Sequence, residues 1–164
     1  MKYLALDQAL QTTGWALFNN SKLQKFGKFT IPANKPIEQR LGQHYWKELN
    51  ELYAEYEFEE LFIEDIQYQN NAETYKKLAY VQCCILLWAY FKEIKVKILS
   101  PSHWRSLIKD EYKISFGRAR QEQKEKAVNF VNDYYSVLAS SDEADAICIG
   151  CAGLIEQGQN KSAF

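Results

Sequence analysis

The sequence has few of the features that mark several common classes of protein. It contains only three Pro and seven Gly, and 47% of its 164 residues are hydrophobic, which is too rich in core-forming side chains for a disordered chain. No apolar run approaches the roughly 18 residues that a membrane helix needs. The first apolar run meets Asp7 too early to be the core of a signal peptide. These absences predict one domain over residues 1–164, located in the cytoplasm, with no membrane partner.

Cysteine is also scarce and is not spaced for a zinc site. The four cysteines form the pairs Cys83-Cys84 and Cys148-x-x-Cys151. A zinc site of this kind needs two Cys-x-x-Cys pairs, and the first pair is adjacent. We interpret all four as reduced, buried small residues, because a chain that is not exported meets no oxidising compartment.

The chain also lacks an excess of either charge. It has 20 Lys+Arg against 21 Asp+Glu, a net charge of −1, whereas nucleic-acid binders usually carry a basic excess. The segment 101–128, however, contains seven basic and four acidic residues, so it carries +3 and the remainder carries −4. The near-neutral total therefore averages two regions of opposite character.

Hydrophobic periodicity predicts an α/β domain. Strands are predicted at residues 2–7, 15–19, 23–31, 60–64 and 96–99, and the first three follow one another as an antiparallel unit. Helices are predicted at 41–56, 72–92, around Trp104 and Leu107, and at 121–134 and 141–157, with a mobile basic loop over 109–120. The apolar residues of the helix at 72–92, Leu86 and Tyr90 among them, are expected along its buried side. This order predicts a mixed five-stranded sheet flanked by helices, with the first and fourth strands central because they are apolar on both faces.

Four carboxylates stand out by position. Asp7 ends the first strand, Glu64 ends the fourth, and Asp142 and Asp145 lie three residues apart at the start of the last helix, on one face. We expect Asp65 to point away from Glu64, because successive strand residues face opposite sides. Four buried acids without partners are costly, and no Lys or Arg adjoins them in sequence, although a distant one could fold in.

A divalent cation would balance these acids. Mg²⁺ prefers oxygen ligands, and two ions held about 3.5–4 Å apart can stabilise the attacking and leaving oxygens of a phosphoryl transfer. The sequence therefore predicts metal-dependent hydrolysis of a phosphodiester. The alternative is that each acid only caps a helix or faces solvent, which is the commoner role of a single acid at such a position.

At these residues the chain resembles the RuvC-type Holliday junction resolvases of the retroviral-integrase and ribonuclease H-like superfamily, and most closely their phage-encoded branch. The resemblance lies in Leu4-Ala5-Leu6-Asp7 with Thr13-Gly14-Trp15-Ala16, in the segment 61–67 (LFIEDIQ), and in the segment 141–147 (SDEADAI). The three segments follow the family's order over almost the whole chain.

The resemblance implies a ribonuclease H-like fold and a homodimer that cuts two opposing strands of a four-way DNA junction. It implies that Asp7, Glu64, Asp142 and Asp145 are the catalytic acids and hold two Mg²⁺ ions per site, for which Mn²⁺ can substitute. The long apolar helix at 72–92 is the natural candidate for the dimer interface, because one face of a sheet is too small to cover it. A phage origin would place the enzyme in the bacterial host cytoplasm.

The chain departs from the family pattern at two places. Gln8-Ala9 replaces the Pro-Gly that often follows the first acid, so we expect a different loop after the first strand. Gln67 stands where cellular relatives carry an aromatic wedge residue, although Tyr68 adjoins it. The displaced aromatic predicts relaxed sequence selectivity on branched DNA.

The DNA contacts are predicted from charge and aromatic content. The basic segment contains Trp104, Tyr112 and Phe116, and basic and aromatic side chains together suit a surface that follows a nucleic-acid backbone. The candidate contact residues are Gln67, Tyr68, Arg105, Lys109, Lys113, Arg118, Arg120 and Lys124. For each of the basic residues, an ordinary solvated helix face is the alternative.

Three other functions stay open at the level of sequence. The chain could be a ribonuclease H-like nuclease that acts on RNA–DNA hybrids, or a non-catalytic junction-binding or scaffold protein. A nucleotide-binding ATPase-like fold also has an early Asp on a hairpin, but the chain is short and has no Gly-rich phosphate loop.

Overall fold

The protein is described by a computed structural model over residues 1–158, and the end of the predicted domain, 159–164, lies outside this range. The strands are β1 (Lys2–Asp7), β2 (Thr12–Asn19), β3 (Lys22–Thr30), β4 (Glu60–Glu64) and β5 (Lys95–Leu99). The helices are α1 (Ile37–Gln39), α2 (Trp46–Tyr56), α3 (Ala72–Phe91), α4 (Pro101–Tyr112), α5 (Arg120–Tyr135) and α6 (Ser141–Glu156). A π-helical segment, Arg40–Tyr45, joins α1 to α2.

The five strands form one mixed sheet in the order β3-β2-β1-β4-β5. β1 pairs antiparallel with β2, and β2 with β3, whereas β1–β4 and β4–β5 are parallel. The predicted mixed five-stranded sheet is confirmed, with β1 at its centre and β4 beside it. Because β1 and β4 run in parallel, their carboxyl ends lie at the same edge of the sheet.

Both faces of the sheet are covered, which explains why β1 is apolar throughout. Tyr3 and Ala5 belong to the core beneath α4, α5 and α6, together with Trp104 and Ile147. Leu4 and Leu6 alternate with them and belong to the core on the opposite face, which includes residues of α2 and α3. A central strand between two helical layers has no solvent-facing side, so alternation of polar and apolar residues is lost.

Helix α6 packs so closely against the sheet that two of its glycines leave no room for a side chain. A Cβ atom on Gly150 would come within 2.2 Å of the Phe18 ring, and one on Gly153 within 2.7 Å of the Phe62 ring. The N-cap of α6 is Ser140, directly before the first helical residue. Glu143 accepts a hydrogen bond of 2.7 Å from the Ser140 backbone N–H, which fixes the start of the helix.

Several sequence predictions were wrong in detail. Helix α4 extends to Tyr112, so the predicted mobile loop at 109–120 shrinks to residues 113–119 and Lys109 is helical. Leu86 and Tyr90, predicted to face the core, are 38% and 76% exposed. Cys83 is exposed, whereas the other three cysteines are buried as expected. The misplaced α3 residues share one cause: this helix is apolar around most of its circumference, so periodicity does not define its buried face.

Within residues 1–158 we find no helix with the length and apolar character that crossing a membrane requires.

Candidate active site

A cavity of about 690 Å³ opens at the carboxyl ends of β1 and β4. All four predicted acids line it: Asp7, Glu64, Asp142 and Asp145. Three separate elements therefore contribute carboxylates to one space, as the positions at strand ends and at a helix start predicted. A cap or a solvated surface group would not require this convergence.

The local structure shows how each acid reaches the cavity. Asp7 and Glu64 are the last residues of β1 and β4. Each follows directly after the last residue pair of the parallel β1–β4 ladder, Leu6 with Ile63. Asp142 and Asp145 lie in the first two turns of α6. On the other side of β1, Asp7 pairs with Gly14 of β2.

Gly14 lets helix α6 approach the strand that carries Asp7. A Cβ atom at Gly14 would lie 2.0 Å from the backbone oxygen of Asp142, closer than any real contact. The acids of α6 thus stand beside Asp7 only because residue 14 has no side chain. Gly14 belongs to the segment Thr13-Gly14-Trp15-Ala16 that resembles the family, but the sequence alone does not show its contact with α6.

The surroundings of the buried acids disfavour the ionised form of their carboxyl groups. Burial, reinforced by the negative charges of Asp145, Glu64 and Asp142, raises the pKa of Asp7 well above its usual range. Burial raises the pKa of Glu64 to about 7 and that of Asp145 to about 6, although neighbouring arginines and Lys124 act in the opposite direction. The site therefore holds an excess of negative charge that an added cation would relieve.

Basic residues that are distant from the acids in sequence do fold into the cavity. Arg105, Arg120 and Lys124 all line it, and their charges lower the pKa values of the acids. The Arg105 guanidinium lies 4.5 Å from the ring centroid of the buried Trp104, a cation–π contact that fixes its position. These cations leave the acids only partly neutralised, because burial still dominates each pKa.

The donor chemistry of the cavity suits a hard divalent cation. Carboxylate oxygens are the ligands that Mg²⁺ and Mn²⁺ prefer, and Mg²⁺ usually takes one or two carboxylates and completes its shell with water and substrate phosphates. Among residues 1–158, no three Asp, Glu, His or Cys side chains converge closely enough to hold an ion by themselves. The acids therefore fit ions that draw the rest of their ligands from water, from DNA phosphates or from other oxygens of the chain.

The remaining predicted DNA contacts divide into two groups. Gln67 and Arg118 line the cavity, and the exposed Tyr68 packs edge-to-face on Tyr75, which also lines it, with 5.8 Å between ring centroids. Lys109 and Lys113 are exposed but are not part of the lining. The structure thus gathers part of the predicted set at the site and leaves two lysines beside it.

Several residues that the sequence did not assign to the site also line the cavity, Asp65 and Gln8 among them. Asp65 lines the cavity, but its carboxylate accepts a hydrogen bond of 3.3 Å from Gln82 Nε2 of α3, and its orientation away from Glu64 stays a prediction. Gln8 also lines the cavity and is 9% exposed. Its position directly after Asp7, in place of the usual proline, was the only signal in the sequence.

The raised pKa values predict that the metal-free protein gains stability on acidification. In the unfolded chain these carboxyls titrate near 4.5 and 3.8, so lowering the pH from about 8 to about 5 protonates Glu64 and Asp145 mainly in the folded state. Stability is lost again as the pH rises through the folded pKa values. We expect the unfolding temperature in EDTA to be several degrees higher at the acidic end of this range. The double variant Glu64→Gln/Asp145→Asn should show a flatter profile, and an equally steep profile in both proteins would contradict the assignment.

Comparison with known sequences gives one consistent result. A model of the family described as "Crossover junction endodeoxyribonuclease RuvC" matches residues 3–152. A curated relative of that name from Syntrophomonas wolfei is 27% identical over 158 residues, covering 94% of this chain and 88% of the relative. Another, from Dictyoglomus thermophilum, is 22% identical and covers 96% and 98%. Both relatives are bacterial, and the phage-encoded branch stays a prediction.

Comparison with solved structures shows the same fold. The structure titled "T. thermophilus RuvC in complex with Holliday junction substrate" aligns with a TM-score of 0.76 at 14% identity, covering 96% of each chain. A fowlpox virus resolvase bound to a substrate Holliday junction aligns with a TM-score of 0.61 at 14% identity, covering 96% of this chain and 99% of the other. The predicted ribonuclease H-like architecture is confirmed by these alignments.

Proposed function

Because the chain belongs to the family of crossover junction endodeoxyribonucleases RuvC, we propose that it resolves four-way DNA junctions by hydrolysing phosphodiesters at the cavity beside Asp7. The observation that carries this proposal is the meeting of the four predicted carboxylates, from three elements, in one cavity that four basic residues also line. A scaffold protein has no need to place several carboxylates together where burial raises their pKa values. We further propose that this protein acts in the cytoplasm of a bacterial cell, as the origin of the relatives in Syntrophomonas wolfei and Dictyoglomus thermophilum suggests.

Nucleases of this family depend on divalent metal ions. We assign Asp7, Glu64, Asp142 and Asp145 as the residues that would hold two such ions, Mg²⁺ or Mn²⁺, in each site. Bound there, the ions would polarise the scissile phosphodiester and lower the pKa of a water molecule. The negative charge that the four acids impose on one another supports this assignment, because it favours binding of cations.

The basic residues of the cavity have a different role. Arg105 is held on the Trp104 ring beside Glu64 and Asp145, where its guanidinium is placed to hold a phosphate of the DNA backbone. Arg120 and Lys124, on the first turns of α5, would position neighbouring phosphates. Arg118 also lines the cavity, and the exposed Lys109 and Lys113 would extend this basic surface beyond the cavity lining.

We propose that Tyr68 stacks on a base at the junction. Its ring is 61% exposed at the edge of the cavity and rests on Tyr75. Base–aromatic stacking contributes about 1–3 kcal/mol per base, so Tyr68→Ala should weaken binding to a four-way junction by roughly 5- to 150-fold. Tyr68→Phe keeps the ring and should bind nearly as well as wild type in the same fluorescence-anisotropy titration. Equal binding by Tyr68→Ala and wild type would remove Tyr68 from the DNA surface.

The exposed side of α3 supports a homodimer. Tyr80, Cys83, Leu87 and Tyr90 follow one another at three- and four-residue intervals, and all are exposed, with Leu87 at 50% and Tyr90 at 76%. Leu86 and Phe91 flank this stripe and are also exposed. An apolar helical stripe of this kind suits isologous pairing with a second copy, which would present two sites to a two-fold symmetric junction.

A charge on this stripe should separate the dimer. Leu87→Glu places a carboxylate within the proposed interface, where burial would leave it without a partner. We expect wild type to elute as a dimer at micromolar concentration in size-exclusion chromatography with light scattering, and Leu87→Glu as a monomer. Leu138→Glu is the matched control, because Leu138 is 92% exposed outside α3 and its replacement should leave the dimer intact. A wild-type monomer at this concentration would contradict the interface.

The proposed activity is tested by incubating the protein with labelled DNA and either Mg²⁺ or Mn²⁺. The substrates are a four-way junction, linear duplex of the same sequence, and an RNA–DNA hybrid. We expect cleavage of the junction alone, with similar rates on junctions that differ in their central sequence. Preferential cleavage of the hybrid would favour a ribonuclease H-like activity, and binding without cleavage in either metal would favour a scaffold. Strong preference for one short sequence would contradict the relaxed selectivity.

A further inference from the structure

Gln8 connects the two strands that carry Asp7 and Glu64. Its side-chain nitrogen Nε2 donates a hydrogen bond to the backbone carbonyl oxygen of Glu64. The regular ladder between β1 and β4 has its last residue pair at Leu6 and Ile63. The Gln8 side chain therefore adds one cross-strand link beyond the ladder, at the level of the two acids.

The other end of the same amide has no partner. Gln8 lines the cavity and is 9% exposed, and its side-chain oxygen Oε1 is buried without a hydrogen bond. The Glu64 carbonyl accepts but cannot donate, so the amide nitrogen must face Glu64 and the oxygen must take the remaining direction. A buried acceptor left without a donor costs free energy of folding, so an oxygen in this position beside the acids calls for a bound water molecule or cation.

A hydrated divalent cation supplies what this oxygen lacks. No three acids within residues 1–158 converge closely enough to hold an ion alone, so oxygens other than their carboxylates must complete the coordination. Amide oxygens bind Mg²⁺ and Mn²⁺ either directly or by accepting hydrogen bonds from the water molecules that these ions retain. Gln8 is the neutral side chain that both joins the acid-bearing strands and offers a free buried oxygen at the cavity.

We propose that Gln8 is a positioning residue of the metal site. Its Nε2 fixes the end of β4 against β1, and its Oε1 binds the hydrated divalent cation held by the acids, either directly or through one of the water molecules of that cation. This inference rests on the proposed function, because it requires that the acids bind cations. It assigns to Gln8 two separable contributions, one through each end of the amide. A purely structural role would need only the nitrogen.

The test measures Mn²⁺ binding to the DNA-free protein by isothermal titration calorimetry. Gln8→Met keeps the length of the side chain but removes both polar ends, and we expect its affinity for Mn²⁺ to fall about tenfold or more, the usual effect of losing an outer ligand contact. Gln8→Ala, which leaves room for water, provides the same comparison in a second variant if Gln8→Met does not fold. Wild-type affinity in a folded variant of either kind would overturn the inference.

Gln157 offers a matched control at the far end of the same strand. Its Nε2 donates to the Glu60 carboxylate at 2.7 Å, at the first residue of β4, and its Oε1 is likewise buried without a partner. Gln157→Met should therefore change stability as Gln8→Met does but leave the affinity for Mn²⁺ unchanged. An equal loss of affinity in both variants would show that general loosening of β4, and not the Gln8 oxygen, sets metal binding.

Gln8→Glu separates the two ends of the amide. The carboxylate keeps an oxygen for the cation but cannot donate to the Glu64 carbonyl, so we expect Mn²⁺ to bind at least as tightly as to wild type. A loss as large as that of Gln8→Met would mean that only the nitrogen matters, and the cation contact would be discarded. A wild type that binds no Mn²⁺ would overturn the proposed metal site itself, whereas wild-type binding that Gln8→Met leaves intact would overturn this inference alone.

Discussion

Asp7→Asn should abolish junction cleavage and at the same time make the metal-free protein more stable. Asn keeps the shape of the side chain but removes the charge that the other three acids oppose and that burial penalises. The loss of one ligand from the centre of the site should lower the cleavage rate at least about 10³-fold, which corresponds to about 4 kcal/mol in activation free energy. The unfolding temperature in EDTA should rise by several degrees, because a destabilising buried charge is gone.

The two readouts of Asp7→Asn must move in opposite directions. Cleavage is followed on a labelled four-way junction in Mg²⁺, and stability by thermal unfolding in EDTA. Asp133→Asn is the matched control, because Asp133 is exposed on α5 and outside the acid cavity, and it should change neither. Loss of activity together with loss of stability would indicate a damaged fold and would contradict the assignment of Asp7 as a strained, functional acid.

Gly14→Ala should disable the same site without touching a carboxylate. The added methyl would lie 2.0 Å from the Asp142 backbone oxygen, and neither atom belongs to a flexible side chain that could move away. The start of α6 must therefore shift, and Asp142 and Asp145 with it. We expect a loss of about 1–3 kcal/mol in the free energy of unfolding from overpacking. A displacement of about 1 Å in a catalytic group should lower cleavage about 10²-fold.

Gly42→Ala is the control for this substitution. Gly42 is exposed in the π-helical segment, and a Cβ atom there would meet nothing within 4 Å. Its replacement should leave cleavage unchanged, as measured on the same junction, and should not lower the midpoint of urea unfolding. If Gly14→Ala cleaved as fast as Gly42→Ala, the close approach of α6 to β2 would have no part in the site.

The fold was predictable where one physical constraint acted alone. β1 and β4 are apolar on both faces because each lies inside a sheet covered on both sides, and no other arrangement explains an unbroken apolar run that ends on an acid. The same reasoning placed Asp7 and Glu64 together at one edge, since parallel strands end at the same side. The three-residue spacing of Asp142 and Asp145 along one helix predicted that both lie on the same face of that helix.

The parts that escaped prediction depend on contacts between distant segments. Arg105 and Lys124 were predicted as DNA contacts, but the sequence did not predict that they approach the acids from α4 and α5, because nothing in their local sequence distinguishes them from Lys109, which is not part of the cavity lining. The Gln8 hydrogen bond to Glu64 spans 56 residues of sequence. Such contacts are fixed by packing of helices on the sheet, which a pattern along the chain does not encode.

Helix α3 shows a second limit. Its apolar residues cover most of its circumference, so periodicity alone assigned Leu86 and Tyr90 to the core, where the structure exposes them. A helix buried by its own domain and a helix buried in part by a second copy have the same composition. The sequence shows that α3 has more apolar residues than one face of the sheet can cover, but it does not show which side of the helix is exposed.

The most direct test of the whole account uses a supercoiled plasmid that extrudes a cruciform, which is a four-way junction within a closed circle. Two symmetric sites of one dimer that cut opposing strands within one binding event convert this plasmid to the linear form. A single site, or sites that act independently, produces nicked circles. We predict linear product with wild type in Mg²⁺, none in EDTA or with Asp7→Asn, and mainly nicked circles or no cleavage with Leu87→Glu. An intact plasmid after incubation of wild type with Mg²⁺ or Mn²⁺ would contradict the account.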